Sequence, residues 1–138
     1  MAEDKTGRAL AADLAARVES LPGLVNDDPW LVHRGRFLTV DLLIEVGRTP
    51  YHLAIEHGRI AALERGPHLL RSWRFAIRAG EEAWRRFWRA MPAPQDHDIF
   101  ALAKRGELSL EGDLQPFMAN LFYFKDVLAA PRRLGGEG

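Results

Sequence analysis

The sequence predicts an α+β domain: a sheet of about five strands with helices packed on one apolar face. Three observations carry that expectation. Residues 36 to 46 alternate apolar and polar positions with a period of two. Short glycine-containing turns follow at Gly47 and at His57-Gly58, as between neighbouring strands. Residues near the N-terminus and after residue 80 instead repeat their apolar positions every three to four. A period of two lines one face of a strand, and a period near 3.6 lines one face of a helix. Strands grouped together, with helices gathered around them, suit a sheet covered on one side.

In chain order, Leu10, Leu14, Val18 and Leu21 recur at helical spacing, so roughly 7 to 20 is an amphipathic helix. Pro22-Gly23 is read as its end, and NDDP at 26 to 29 as a loop or a capped single turn. From Arg36 to Val46, the residues Leu38, Val40, Leu42, Ile44 and Val46 form the apolar face of a long strand. Gly47-Arg48-Thr49-Pro50 turns into a second strand, on which Tyr51, Leu53 and Ile55 alternate. His57-Gly58 leads to a third, Arg59 to Leu63, completing an antiparallel meander. Gly66-Pro67 precedes a fourth strand, SWRFAIRA, with Trp73, Phe75 and Ile77 on one face and Ser72, Arg74 and Arg78 on the other.

Gly80 ends that strand, and EEAWRRFWRAM is a helix with Trp84, Phe87, Trp88 and Met91 on one side. After PAPQD, Asp96 or Asp98 caps a short helix through Lys104. Gly106 then stops the helix in a left-handed cap, and Leu108 and Leu110 share one face of a short fifth strand. Gly112-Asp113 turns the chain, with Asp113 placed to cap a last helix, LQPFMANLFYFKDVL, from 114 to 128. The organisation is thus a helix over 1–21, packed on or extending the domain, a main domain over 22–131, and a frayed tail over 132–138.

Composition narrows the function. At 138 residues the chain fits one domain with one core. Lys plus Arg equal Asp plus Glu at 19 each, which argues against a general nucleic-acid binder. The absence of cysteine removes thiol catalysis, disulfides and zinc-thiolate sites. No apolar run approaches the ~20 residues that span a bilayer, and MAEDKTGRALAADLAARV has no secretory apolar core. The expectation is a soluble, cytoplasmic protein.

Little in the sequence looks catalytic. His52 and His57 have odd spacing and fall on opposite faces of a straight strand, and His33, His68 and His97 lack a second ligand at useful spacing. No nucleophile elbow, phosphate loop or dinucleotide fingerprint occurs, so neither metal nor cofactor is expected and the protein is read as a non-enzyme. A small hydrolase or isomerase using Glu81, Glu82 or His97 is the weakest reading. The arginines of 71 to 89 resemble a phosphate patch, but Glu81 and Glu82 sit four residues before Arg85 and Arg86, where they pair on a helix. Arg74 and Arg78 remain as candidates to meet a ligand headgroup or carboxylate.

The aromatic residues are more informative. Trp73, Phe75, Trp84, Phe87 and Trp88 gather in one segment, and Phe117, Phe122, Tyr123 and Phe124 in another. Core packing explains any one of them. Together they are difficult to pack densely around one sheet without a gap or a ligand. The last helix carries Phe117, Met118, Leu121, Phe122 and Phe124 over more than one face, so it touches more than one apolar partner.

The order of elements and one motif resemble the sterol carrier protein 2 domain family. The motif is ALAKRGELSLEGDL, residues 101 to 114: an aliphatic helix running into Gly-polar-Leu-x-Leu-x-Gly-Asp. The long first strand and the AIEHGRI hairpin, 54 to 60, add to the resemblance, which covers roughly Leu31 to Leu128. It implies a non-enzymatic domain that binds an apolar ligand (fatty acyl, sterol-like or another lipid) between sheet and helices. The residues expected to line such a site are Trp73, Phe75, Ile77, Trp84, Phe87, Trp88, Phe100, Phe117, Met118, Leu121 and Phe122. The second reading is an interaction module with a filled core, forming a homodimer or docking a partner through the last helix.

Overall fold

The fold is seen in a computed structural model that describes residues 2–67 and 71–134, with side chains from residue 7 onward. His68 lies outside the described residues. The core is one mixed five-stranded sheet. Its strands are β1 (Thr39–Val46), β2 (Thr49–Glu56), β3 (Arg59–Arg65), β4 (Phe75–Ala79) and β5 (Leu108–Gly112), in the spatial order β3-β2-β1-β4-β5. The expected meander forms: β1 pairs antiparallel with β2, and β2 with β3. β4 then lies parallel to β1, with Leu42 opposite Phe75 and Val46 opposite Ala79, and antiparallel to β5.

The pairing register sorts the side chains. Leu42, Leu53 and Phe75 form one row, and Ile44, Tyr51 and Ile77 the next, all buried on the helix-covered face. The opposite face carries Asp41, Glu45, Glu64, Arg78 and Glu111, with Leu43, His52 and Ala76 buried among them. The connection from β3 to β4 crosses that second face. Arg71 pairs with Glu64 at 2.7 Å, the Ser72 carbonyl lies 3.1 Å from His52 Nε2, and the Arg74 amide donates to the Asp41 carbonyl at 2.8 Å.

The helices are α1 (Ala2–Glu19), α2 (Leu21–Asn26), α3 (Pro29–Arg34), α4 (Glu81–Phe87), α5 (Ile99–Lys104), α6 (Gln115–Ala119) and α7 (Leu121–Ala129), followed by a 3-10 turn over Ala130–Leu134. Leu14 and Val18 of α1 are buried in the core, while the buried Arg17 guanidinium donates to the carbonyls of Trp88 (3.1 Å) and Pro131 (3.0 Å). Asn26, at the end of α2, donates to the Ile60 carbonyl and accepts from the Ile60 amide. It covers part of the exposed edge of β3.

Several sequence expectations need correction. Pro22-Gly23 does not end a helix; Pro22 sits in the first turn of α2, where its missing amide costs nothing. NDDP does contain a cap, since Asp28 accepts from the Leu31 amide at the start of α3. The first strand begins at Thr39, leaving Arg36 and Phe37 in the preceding turn. The fourth begins at Phe75, so Trp73 falls outside it, and its ring lies 5.7 Å from the Arg78 guanidinium of the opposite face. α4 ends at Phe87, and Met91 is exposed rather than facing the sheet. The last helix is two helices, because Asn120 (φ −123°, ψ 38°) leaves helical geometry between α6 and α7.

Candidate functional site

The buried aromatics on the covered face come from β4 and from helices α4, α6 and α7. Phe75 of β4 meets Phe117 of α6 and Phe124 of α7 edge-on, with ring centroids 5.6 and 5.3 Å away, and Phe117 and Phe124 stack on each other at 5.5 Å. Trp84 and Trp88, one turn apart on and just after α4, stack at 4.6 Å, and Phe87 meets Trp84 edge-on. Each indole is anchored: Trp84 Nε1 donates to the Glu45 carbonyl of β1 at 3.0 Å, and Trp88 Nε1 to the Leu128 carbonyl of α7 at 2.7 Å. These bonds satisfy the N–H groups that burial would otherwise leave unpaired. Ile77 is buried beside Phe75, and half-buried Phe100 of α5 contacts Phe117 at 6.1 Å.

The break at Asn120 exposes part of this cluster's cover. Asn120 Nδ2 donates to the Pro116 carbonyl at 2.9 Å, closing the end of α6. Beside it opens a cleft of about 390 Å³ bounded by Arg34, Ala119, Asn120, Leu121, Phe122 and Tyr123. Leu121 is half-buried at the rim, while Met118 and Phe122 point outward, Phe122 with 73% of its surface exposed. Arg34 is held there by an ion pair with Asp126 of α7. Tyr123 anchors α7 on the sheet by donating to the Gly58 carbonyl at 2.7 Å, and burial pushes its phenol pKa up, so it remains a donor.

Of the expected lining residues, Phe75, Ile77, Trp84, Phe87, Trp88 and Phe117 share the interior between sheet and helices, with Phe100 and Leu121 at its margin. Trp73 packs elsewhere, and Met118 and Phe122 lie outside. Arg74 and Arg78 project from the opposite side of the sheet, with carboxylate partners of their own. Arg74 meets Asp113 at 3.2 Å, and Arg78 sits between Glu45 (3.2 Å) and Glu111 (3.1 Å). Partial burial alone would lower the Arg78 pKa, but hydrogen bonds to Glu45 and then Glu111 outweigh it and favour the charged form. Phe124 is the central ring the site expectation omitted. Its spacing of seven from Phe117 places both on one side of the single helix expected over 114 to 128, which was the available signal, although they fall on α6 and α7.

Of the two pairs expected on α4 from spacing, Glu82–Arg86 is seen. Glu82 meets Arg85 and, at 3.8 Å, Arg86. Arg86 also reaches Asp96 (3.1 Å) and Glu107, while Arg105 bridges the same two carboxylates at 2.9 and 3.1 Å. No group of three or more metal-ligating side chains occurs among the described residues. No described helix is long and apolar enough to cross a membrane.

No protein-family model matches the sequence, and no curated protein matches it significantly. The fold does have solved counterparts. A crystal structure of sterol carrier protein 2 superposes with a TM-score of 0.67 over 85% of this chain and 94% of its own, at 14% identity. A conserved hypothetical protein from Thermus thermophilus gives 0.63 over 88% of each chain, also at 14% identity. The UbiJ-SCP2 ubiquinone synthesis protein gives 0.55 over 90% of this chain and 94% of its own, at 20% identity. The chain therefore has a sterol carrier protein 2-like fold, as the 101–114 motif suggested.

Proposed function

We propose that the domain binds a small apolar molecule, a fatty acyl, sterol-like or other lipid, between its sheet and helices, and carries it without chemical change. The observation that supports this most directly is the interruption at Asn120. It divides the helical cover over Phe75 into two short pieces, which carry Phe117 and Phe124, and a surface cleft lies at the break between them. The likeness to sterol carrier protein 2 and to a ubiquinone synthesis protein supports the same reading.

Cargo enters by parting α6 and α7 from the sheet, because the three rings already touch. Burying ~10 methylenes at ~0.8 kcal/mol each yields ~8 kcal/mol gross. Displaced ring pairs return roughly 0.5–1.5 kcal/mol each, so weak, exchangeable binding survives, as a carrier requires. The polar end of an amphipathic cargo rests at the cleft mouth near Arg34, not at Arg74 or Arg78 across the sheet.

Native mass spectrometry of the purified protein, with tryptophan emission titrated against fatty acids, acyl-CoAs, sterols and ubiquinone, tests this. A retained mass or a saturable emission change is expected, weakened at least tenfold in Leu121→Asp, which places a charge at the rim. A panel that leaves both readouts flat overturns the proposal.

A further inference from the structure

We propose that the cleft between the end of α4, the start of α5 and the end of α7 is a binding site for a small organic monocarboxylate. It measures about 210 Å³; Phe87, Ile99 and Ala129 form its apolar wall, and His97, Lys125 and Arg132 bring its nitrogen groups. Arg132, from the 3-10 turn, is held in place by the protein itself. Its Nε donates to the Phe87 carbonyl at 2.8 Å and its Nη2 to the His97 carbonyl at 2.9 Å, and its guanidinium lies 4.5 Å from the centre of the Phe87 ring. Those bonds use two of its five N–H groups and leave its charge without a counter-ion among the described residues. Burial lowers its pKa, with no acid acting against that.

Charge and size name the ligand class. Two carboxylates share the cleft, and both are engaged: Asp126 by Arg34, and Asp98 by the Phe100 amide at 3.0 Å and by Lys125 at 3.9 Å. With His97 neutral, the cations Arg34, Lys125 and Arg132 outnumber Asp98 and Asp126 by one. That excess suits a monoanion, whereas the two carboxylates repel a dianion such as a phosphate monoester. The planar fork left on Arg132 matches a carboxylate in geometry as well as charge. An apolar cavity of roughly 150 Å³ holds benzene, so this cleft takes a body of that size with its carboxylate. It falls short of the ~300 Å³ at which sites for drug-sized ligands begin, which leaves no room for a long acyl chain.

The site lies apart from the cargo cleft, and its test uses no lipid. Isotope-labelled full-length protein is titrated with benzoate, with neutral benzamide and with phenyl phosphate, while backbone amide shifts are followed by NMR. Saturable benzoate shifts centred on His97, Ile99, Lys125 and Arg132 are expected. Benzamide, which lacks the charge, should bind at least about tenfold more weakly. Phenyl phosphate, mostly a dianion at neutral pH, should also bind more weakly than benzoate. Arg132→Gln should weaken benzoate about tenfold or more. Because Arg132 also clamps two carbonyls, Ala129→Met is the second variant: it fills the cleft without touching those bonds and should abolish the shifts. Leu121→Asp, at the rim of the cargo cleft, should leave benzoate binding unchanged. Absence of saturable shifts, shifts scattered over the chain, equal affinity for benzamide, tighter binding of phenyl phosphate, or benzoate binding that survives Ala129→Met overturns the proposal. So does its loss in Leu121→Asp, which would place the carboxylate in the cargo cleft. A flat response to the lipid panel with the benzoate shifts intact would instead sink the cargo reading alone.

Discussion

At Gly112 the backbone turns with φ +89°, and a Cβ would lie 2.6 Å from the Arg74 carbonyl. Both conditions exclude a branched side chain, so Gly112→Val should cost at least about 2 kcal/mol. Its neighbour Asp113 has a lesser role: the N-cap of α6 is Leu114 rather than Asp113 as expected, and the Asp113 carboxylate accepts from the Gln115 amide at 3.1 Å and meets Arg74. Asp113→Ala should cost ~1 kcal/mol, the usual worth of a helix-start acceptor. Urea melts of the two variants decide the matter; equal small losses would mean that the turn geometry does not constrain the fold. The GD pair was readable because its backbone demand is local. Which ring meets which was not. Trp84 and Trp88 share a side by spacing alone, yet their carbonyl partners, at Glu45 and Leu128, lie 39 and 40 residues away.

Among the elements, the strands were the most legible. A face that is half buried imposes alternation, and Leu38, Val40, Leu42, Ile44 and Val46 are buried as the period of two requires. The helix ends were less so. Asn120 is a single polar residue in the run from Phe117 to Phe124, and it stops α6 locally by bonding its side chain back to the Pro116 carbonyl. Cross-element ion pairs were invisible: Glu82 and Arg86 pair at helical spacing, but Arg86 also reaches Asp96 and Glu107 beyond the helix. That network carries a pH signature. Hydrogen bonds from Arg86, then Arg105, hold the Glu107 carboxyl below its ordinary value of 4.5. A depressed acid stabilises the fold fully above its unfolded pKa and loses that contribution as pH falls through the folded one. Glu107→Gln should therefore lower Tm by a few degrees at neutral pH, with the difference closing as pH drops below about 4.5. A gap that persists at pH 3 would assign the loss to packing rather than charge.

Across the whole molecule, one face of the sheet is sealed by helices and the other is crossed by the chain leading into β4. The N-terminal helix is continuous with that seal. Leu14 and Val18 are fully buried, and Arg17 ties α1 to the end of α4 and to the C-terminal 3-10 turn at once. Two such apolar side chains contribute roughly 1.5–3 kcal/mol each, a large share of the ~5–15 kcal/mol that typically holds a domain folded. The guanidinium adds to this, since removing it leaves two buried carbonyls without a donor at about 1–3 kcal/mol apiece. A chain starting at Leu21 should therefore unfold at much lower urea than the full chain, or show no cooperative transition. Tryptophan emission reports it directly, because Trp84 and Trp88 lie in the core beneath α1. If the truncated chain keeps the parent midpoint, α1 is an appendage and the folding unit begins after it. If it melts early but Arg17→Met in the full chain does not, apolar burial rather than the carbonyl clamp is what binds α1 to the domain.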